Sequence, residues 1–197
     1  MIAAMDNTFL TVLLNPKAAP RPNPDTGLPV SHCKQRIEAL IDEISRTDGT
    51  LLIPAPALAE ALCATSAVEA YLDELRQYSS IDVAPFDAPA AYELGRVIRE
   101  AALSGDKRSG EIGNWQQVKM DRAIVAIAIS RSVDVFYSDD GRQINFAKMA
   151  GLTVKSTWDL ALPDKYAQHD LSEKSDEPWP TQKRPAKSSD SESLPAK

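Results

Sequence analysis

A single α/β domain, a three-layer α/β/α sandwich with a parallel five-stranded sheet, is what this sequence predicts, and three observations predict it. Short apolar runs alternate with stretches of helical length and helical periodicity from residue 2 to about residue 160. Apolar residues make up 43% and charged residues 25% of 197, enough for a core of ordinary size. Dense apolar patterning then stops near residue 163. From there to Lys197 the chain holds five prolines, many Ser, Lys, Asp and Glu, and few large apolar residues. Such a segment cannot bury enough surface to offset its ordering entropy. The expected organisation is therefore a folded domain over 1–162 and a disordered polar, Pro-rich tail over 163–197, with Trp179 as its one docking anchor.

The elements follow in order. Residues 2–5 form a short apolar run ending in Asp6, the form of a buried strand with a polar group at its carboxyl end. Residues 8–14 suit a helix. Residues 15–29 contain five prolines and Gly27, which predicts a loop. Ile37, Leu40, Ile41 and Ile44 recur at the spacing of one helix face. Leu51, Leu52 and Ile53, between Gly49 and Pro54, read as a second strand. Pro56 opens a helix through Ala64, and Val68, Tyr71, Leu72 and Leu75 share a face of the next. A third strand covers 81–83. Asp87 and Pro89 start a helix that runs to Leu103. Residues 104–114, with three glycines, form a loop. Residues 118–130 are so apolar that most of that helix must be buried. A fourth strand at 133–137 leads to Ser138-Asp139-Asp140-Gly141, a helix at 143–150 and a fifth strand at 152–154.

Composition excludes several functions. No apolar run reaches the roughly 18 to 20 residues of a membrane span, and the start lacks the basic segment of a signal peptide. A cytoplasmic protein is expected, with Cys33 and Cys63 as free thiols. A net charge of -6 argues against broad electrostatic coating of nucleic acid. It leaves room for an acidic site neutralised by metal.

In open parallel sheets ligands gather beyond the carboxyl ends of the strands. Asp6 ends the first strand, and Asp139 and Asp140 follow the fourth. Glu60 lies early in the helix after strand two, and Asp121 in the buried helix before strand four. Each alone has a structural role open to it, as a helix cap or a turn residue. Together they bring acids from four elements to one edge. Converging carboxylates repel and need a cation, and oxygen ligands select hard ions such as magnesium or manganese. Phosphodiester hydrolysis by a metal-activated water is the matching chemistry.

These residues carry a resemblance. Met5-Asp6-Asn7-Thr8-Phe9-Leu10 resembles the opening strand, acid and helix of PIN-domain proteins. The stretch from Pro54 to Glu60 resembles their second acidic motif, and that from Asp121 to Ala128 their third. Tyr137-Ser138-Asp139-Asp140-Gly141, followed by residues 147–154, resembles the fourth motif and the closing strand. The resemblance implies a PIN-like nuclease fold over nearly the whole folded part, with Mg2+ or Mn2+ in an acidic pocket. It also implies a metal-dependent endoribonuclease, as in the toxin of many bacterial toxin–antitoxin pairs, with an antitoxin protein and a homodimer as partners. Asp6, Glu60 and Asp121 would be catalytic metal-site acids. The fourth would be Asp140, with Asp139 adjacent and the register between them open. Asn7, Thr8 and Ser138 would support the site, although Asn7-Thr8 inverts the usual order.

RNA would be guided by local cations: Lys107, Arg108 and Lys119, and above all Arg122 and Arg142, which adjoin metal-site acids. A haloacid-dehalogenase-type phosphatase would need a second aspartate where Thr8 stands. A phosphate-binding Gly-rich turn is missing after the first strand. Zinc finds no ligand spacing among Cys33, Cys63, His32 and His169. The alternative of another class is a catalytically weak or inactive PIN-like binding or regulatory module.

Overall fold

Strands form where the apolar runs lie, and their order places the acids. The computed structural model describes residues 1–166 apart from 16, 17, 19, 107, 109 and 111–113, so the expected tail lies outside the described residues from 167 onward. Five strands make one all-parallel sheet in the order β3-β2-β1-β4-β5: β1 Ile2–Met5, β2 Thr50–Pro54, β3 Ile81–Ala84, β4 Val135–Tyr137 and β5 Val154–Lys155. The chain moves outward from β1 through β2 to β3, then returns to the other side of β1 for β4. The topological switch therefore lies between β1 and β4, where Ala4 pairs with Phe136 and Met5 with Tyr137. The fold is the PIN-like α/β/α architecture that the motifs imply.

Alternation along the buried strands divides two cores. Ala3, Met5, Leu51, Ile53 and Tyr137 face α1 (Asn7–Leu14) and α2 (Cys33–Arg46), against Phe9, Leu10, Leu13, Ile37, Ile41 and Ile44. Ala4, Leu52 and Phe136 face the other layer, chiefly α5 (Ala88–Leu103), α6 (Trp115–Ser130) and α7 (Gly141–Met149), against Ile124, Ile127, Ala128 and Phe146. In α6, residues 121–128 are all buried, as its apolar composition requires. Helices α3 (Ala55–Cys63) and α4 (Val68–Arg76) connect β2 to β3.

Helix α2 turns into β2 through Gly49. A Cβ there would stand 2.8 Å from the Met1 carbonyl oxygen and 3.2 Å from that of Ile44. The Gly49 amide donates to Ile44 and the Thr50 amide to Met1, so the turn cannot open to admit a side chain without breaking both.

Met1–Pro163 is one compact unit; of the second, Asp164–Lys197, only residues 164–166 are described. Among the described residues, no helix is long and apolar enough to cross a membrane.

Candidate active site

Asp6 after β1 and Asp140 after β4 each cap the helix that follows. Asp6 leaves β1 in extended backbone and caps α1. Its Oδ1 accepts from the Thr8 amide at 2.9 Å, the Phe9 amide at 3.3 Å and the Thr8 hydroxyl at 2.6 Å. Its Oδ2 accepts from Ser138 Oγ at 2.5 Å. The same Ser138 Oγ accepts from the Asp140 amide at 3.0 Å, joining the first motif to the fourth. Asp6 is wholly buried, and burial pushes its carboxyl up to about 7 against the lowering effect of these four hydrogen bonds.

Asp140 caps α7, its Oδ1 accepting from the amides of Arg142 at 2.8 Å and Gln143 at 3.2 Å. Its other oxygen, Oδ2, accepts from Arg21 Nη2 at 2.8 Å. Asp121 is buried in α6 and accepts from Gln143 Nε2 at 3.3 Å. Arg142 Nε stands 3.7 Å from both Asp121 Oδ2 and Asp140 Oδ1.

Glu60 from α3, Asp121 from α6 and Asp140 from the end of β4 line one pocket of about 450 Å³ with Asn7, Arg142 and Gln143. Three carboxylates thus share a cavity. The Glu60 carboxyl is raised above the ordinary range by burial first, then by the charges of Asp121 and Asp140; Arg142 partly offsets this.

Two expected metal-site acids, Asp6 and Asp139, are not among the residues that line this pocket. The Asp6 oxygens are engaged beneath the loop it holds. Asp139 lines a neighbouring cavity with Asn7, Thr8 and Arg21, and the Thr157 amide at 2.7 Å and hydroxyl at 2.5 Å occupy its carboxylate. Adjacent residues leave an extended strand end in opposite directions, and with Asp140 capping α7, Asp139 faces the short 3₁₀ turn Thr157–Asp159. The inverted pair has a clear division. Thr8 Oγ1 donates to Asp6 and accepts from the Asp139 amide at 2.9 Å, while Asn7 faces the acidic pocket.

The expected cations divide likewise. Arg142 is in the pocket; Arg108 is exposed, and Lys119 is half-buried beside the Trp115 ring. Lys107 lies outside the described residues. The expectation that Arg122 meets RNA at the surface is corrected. It is 1% exposed, its guanidinium 5.0 Å from the Phe146 ring centre and 5.8 Å from that of Trp115, and burial lowers its pKa. Three contributors escaped the sequence reading. Gln143 carried a signal, three positions after a capping aspartate and so in the first turn of α7. Arg21 and Thr157 carried none, because their partners lie across the fold.

The donors are hard oxygens, and the charges of Asp121 and Asp140 add to burial in raising the Glu60 carboxyl. Among the described residues, no three His, Cys, Asp or Glu side chains are close enough to cage an ion directly. By their chemistry these oxygen donors suit a hard cation such as magnesium or manganese.

The five-stranded parallel sandwich is a PIN-like fold, and solved structures share it. Chains of VapBC2 from Rickettsia felis, bound to a DNA fragment from their promoter, superpose with a TM-score of 0.54 at 16% identity, covering 79% of this chain and 98% of that one. DNA-bound VapBC from Salmonella typhimurium gives 0.53 at 17% identity, covering 80% and 98%. VapBC-1 from nontypeable Haemophilus influenzae gives 0.50 at 13% identity, covering 80% and 99%. At such identities the likeness is one of fold. No protein-family model and no curated protein matches the chain.

Proposed function

We propose that this chain is an endoribonuclease dependent on Mg2+ or Mn2+, and the toxin of a toxin–antitoxin pair. The observation that carries the reading is the pocket where Glu60, Asp121 and Asp140, from three elements, face one another beside the β1–β4 switch point. Its fold likeness to VapBC structures supports it.

One or two of Glu60, Asp121 and Asp140 would hold the cation directly, with water completing its shell. Such an ion supplies positive charge against a phosphodiester and acidifies water for attack at phosphorus. The protein's own groups do the rest. One of these acids is suited to take a proton from the attacking water. Gln143 orients Asp121, and Arg142 offsets charge at the pocket mouth and meets the RNA backbone. Asp6, Thr8 and Ser138 hold the 138–140 loop so that Asp140 faces the pocket. Arg108 and Lys119 extend the basic path for RNA. An antitoxin protein, a homodimer and a cytoplasmic location belong to the same reading.

A second reading, a PIN-like module with little or no catalysis, is favoured by one observation: Arg21 and Arg142 already lie against the carboxylates. Cleavage of labelled RNA and matched DNA with Mg2+, Mn2+ or chelator decides between them, with wild type against Glu60→Gln, Asp121→Asn and Asp140→Asn. Metal-dependent RNA cleavage lost in all three folded variants is the expected result. Cleavage unchanged in the variants would sink the assignment, and no cleavage across varied RNAs would favour the module.

A further inference from the structure

We propose that Arg21 is a built-in counter-ion for the acidic pocket, holding Asp140 in the cation-free protein and giving way when a divalent ion binds. This rests on the reading of the pocket as a metal site, and goes beyond it by assigning a regulatory contact to the Pro-rich loop.

The loop is built to present this side chain. Arg21 sits between Pro20 and Pro22, and the proline that follows it disfavours helical backbone there. Beyond it, residues 23–28 close on themselves: the Asn23 amide donates to Leu28 at 2.9 Å and the Gly27 amide to Asn23 at 2.8 Å. The Asp25 amide donates to Asn23 Oδ1 at 2.9 Å, and Gly27 takes the left-handed φ of 68° that this turn requires. On the other side, Pro20 and Arg21 line a cavity next to the acidic pocket with Asn7, Thr8, Thr11 and Asp139, which seats the loop on α1 and sets the Arg21 charge near Asp139 as well as on Asp140.

What Arg21 holds is decisive. Asp140 spends Oδ1 on the α7 amides, so Oδ2 is the oxygen left to take a cation, and Arg21 Nη2 stands on it at 2.8 Å. The Arg21 side chain is 58% exposed, so the pair lies at the solvent boundary, where such contacts are weak and screened by salt. A guanidinium and a divalent ion compete for one oxygen, and the ion carries twice the charge.

The test is Mn2+ binding to the full chain, followed by electron paramagnetic resonance and by titration calorimetry, with RNA cleavage measured separately. Arg21→Gln is expected to bind Mn2+ about two- to fivefold more tightly than wild type at low salt, with the gap narrowing as salt rises. Arg21→Lys, which keeps the charge, should stay near wild type. Arg46→Gln removes the same charge from an exposed pair with Glu43 on α2 and should leave Mn2+ affinity unchanged. Unchanged or weaker affinity in Arg21→Gln overturns the proposal. An equal gain in Arg46→Gln also overturns it, by showing a general field effect. No Mn2+ binding in any form overturns both this inference and the metal-site reading. A gain confined to Arg21→Gln without RNA cleavage in any variant upholds the counter-ion and sinks the nuclease.

Discussion

Replacing Asp6 with Asn should abolish a pH dependence of stability that the fold imposes on the cation-free protein. Asp6 is wholly buried, and its carboxyl is lifted from an ordinary 3.8 to about 7, because burial outweighs the bonds from Thr8, Phe9 and Ser138. The folded state then binds a proton more tightly than the unfolded chain. Stability from this group is complete below about pH 4 and is lost as pH rises through about 7. At roughly 1.4 kcal/mol per pH unit, a displacement of about three units corresponds to on the order of 4 kcal/mol between pH 4 and 8. Asn cannot ionise. Its amide oxygen can keep the three donors on Oδ1, and its NH2 can face Ser138, whose hydroxyl also has the Asp140 carbonyl at 3.5 Å as an acceptor. Urea unfolding in chelator, followed by circular dichroism at half-unit steps from pH 4.5 to 8.5, measures the slope. Wild type should lose a few kcal/mol over that range relative to Asp6→Asn and become the less stable of the two at pH 8. Parallel profiles would refute the burial argument.

Other expectations test separate parts of the molecule. Gly49→Ala should lower stability by about 1–3 kcal/mol, since the new methyl meets backbone oxygen at 2.8 Å; a thermal midpoint unmoved within error would show that the turn yields. Arg142→Gln should weaken RNA binding and reduce the slope of log affinity against log salt by about one, read by fluorescence anisotropy at several salt concentrations. An unchanged slope would remove Arg142 from the RNA path. Arg122→Ala should leave that slope unchanged and cost about 2–4 kcal/mol in denaturant unfolding, because its guanidinium is buried against Phe146 and Trp115.

The fold was legible because its signals are local. A buried strand is a short apolar run, as at Ile2–Met5, and an amphipathic helix repeats its apolar face, as from Ile37 to Ile44. Boundaries moved where capping decided them. Asn114 starts α6 three residues before Val118, by accepting from the Gln116 amide, and Asp140 starts α7 two residues before Gln143. The candidate site was legible as a set of acids, not as an arrangement. Asp139 and Asp140 are neighbours with the same chemistry, and only the Thr157 turn and the α7 cap separate their directions. Arg122 follows Asp121 on a helix whose apolar residues run almost all the way round, so composition alone does not say which of the two faces the pocket. Arg21 meets Asp140 across 119 positions, and no spacing rule reaches that far.

By itself the sequence determined which segments are strands and helices, that the sheet is parallel, and that Asp6, Glu60, Asp121 and Asp140 were the acids to compare. Those follow from periodicity, from caps and from the rule that ligands collect where parallel strands end. Only the tertiary structure decided which carboxylates share a cavity, which are consumed as caps and braces, and which arginine stands on the open oxygen. A carboxylate's role depends on the donors and charges within a few ångströms of it, and those arrive from distant parts of the chain once the two helical layers have closed on the sheet.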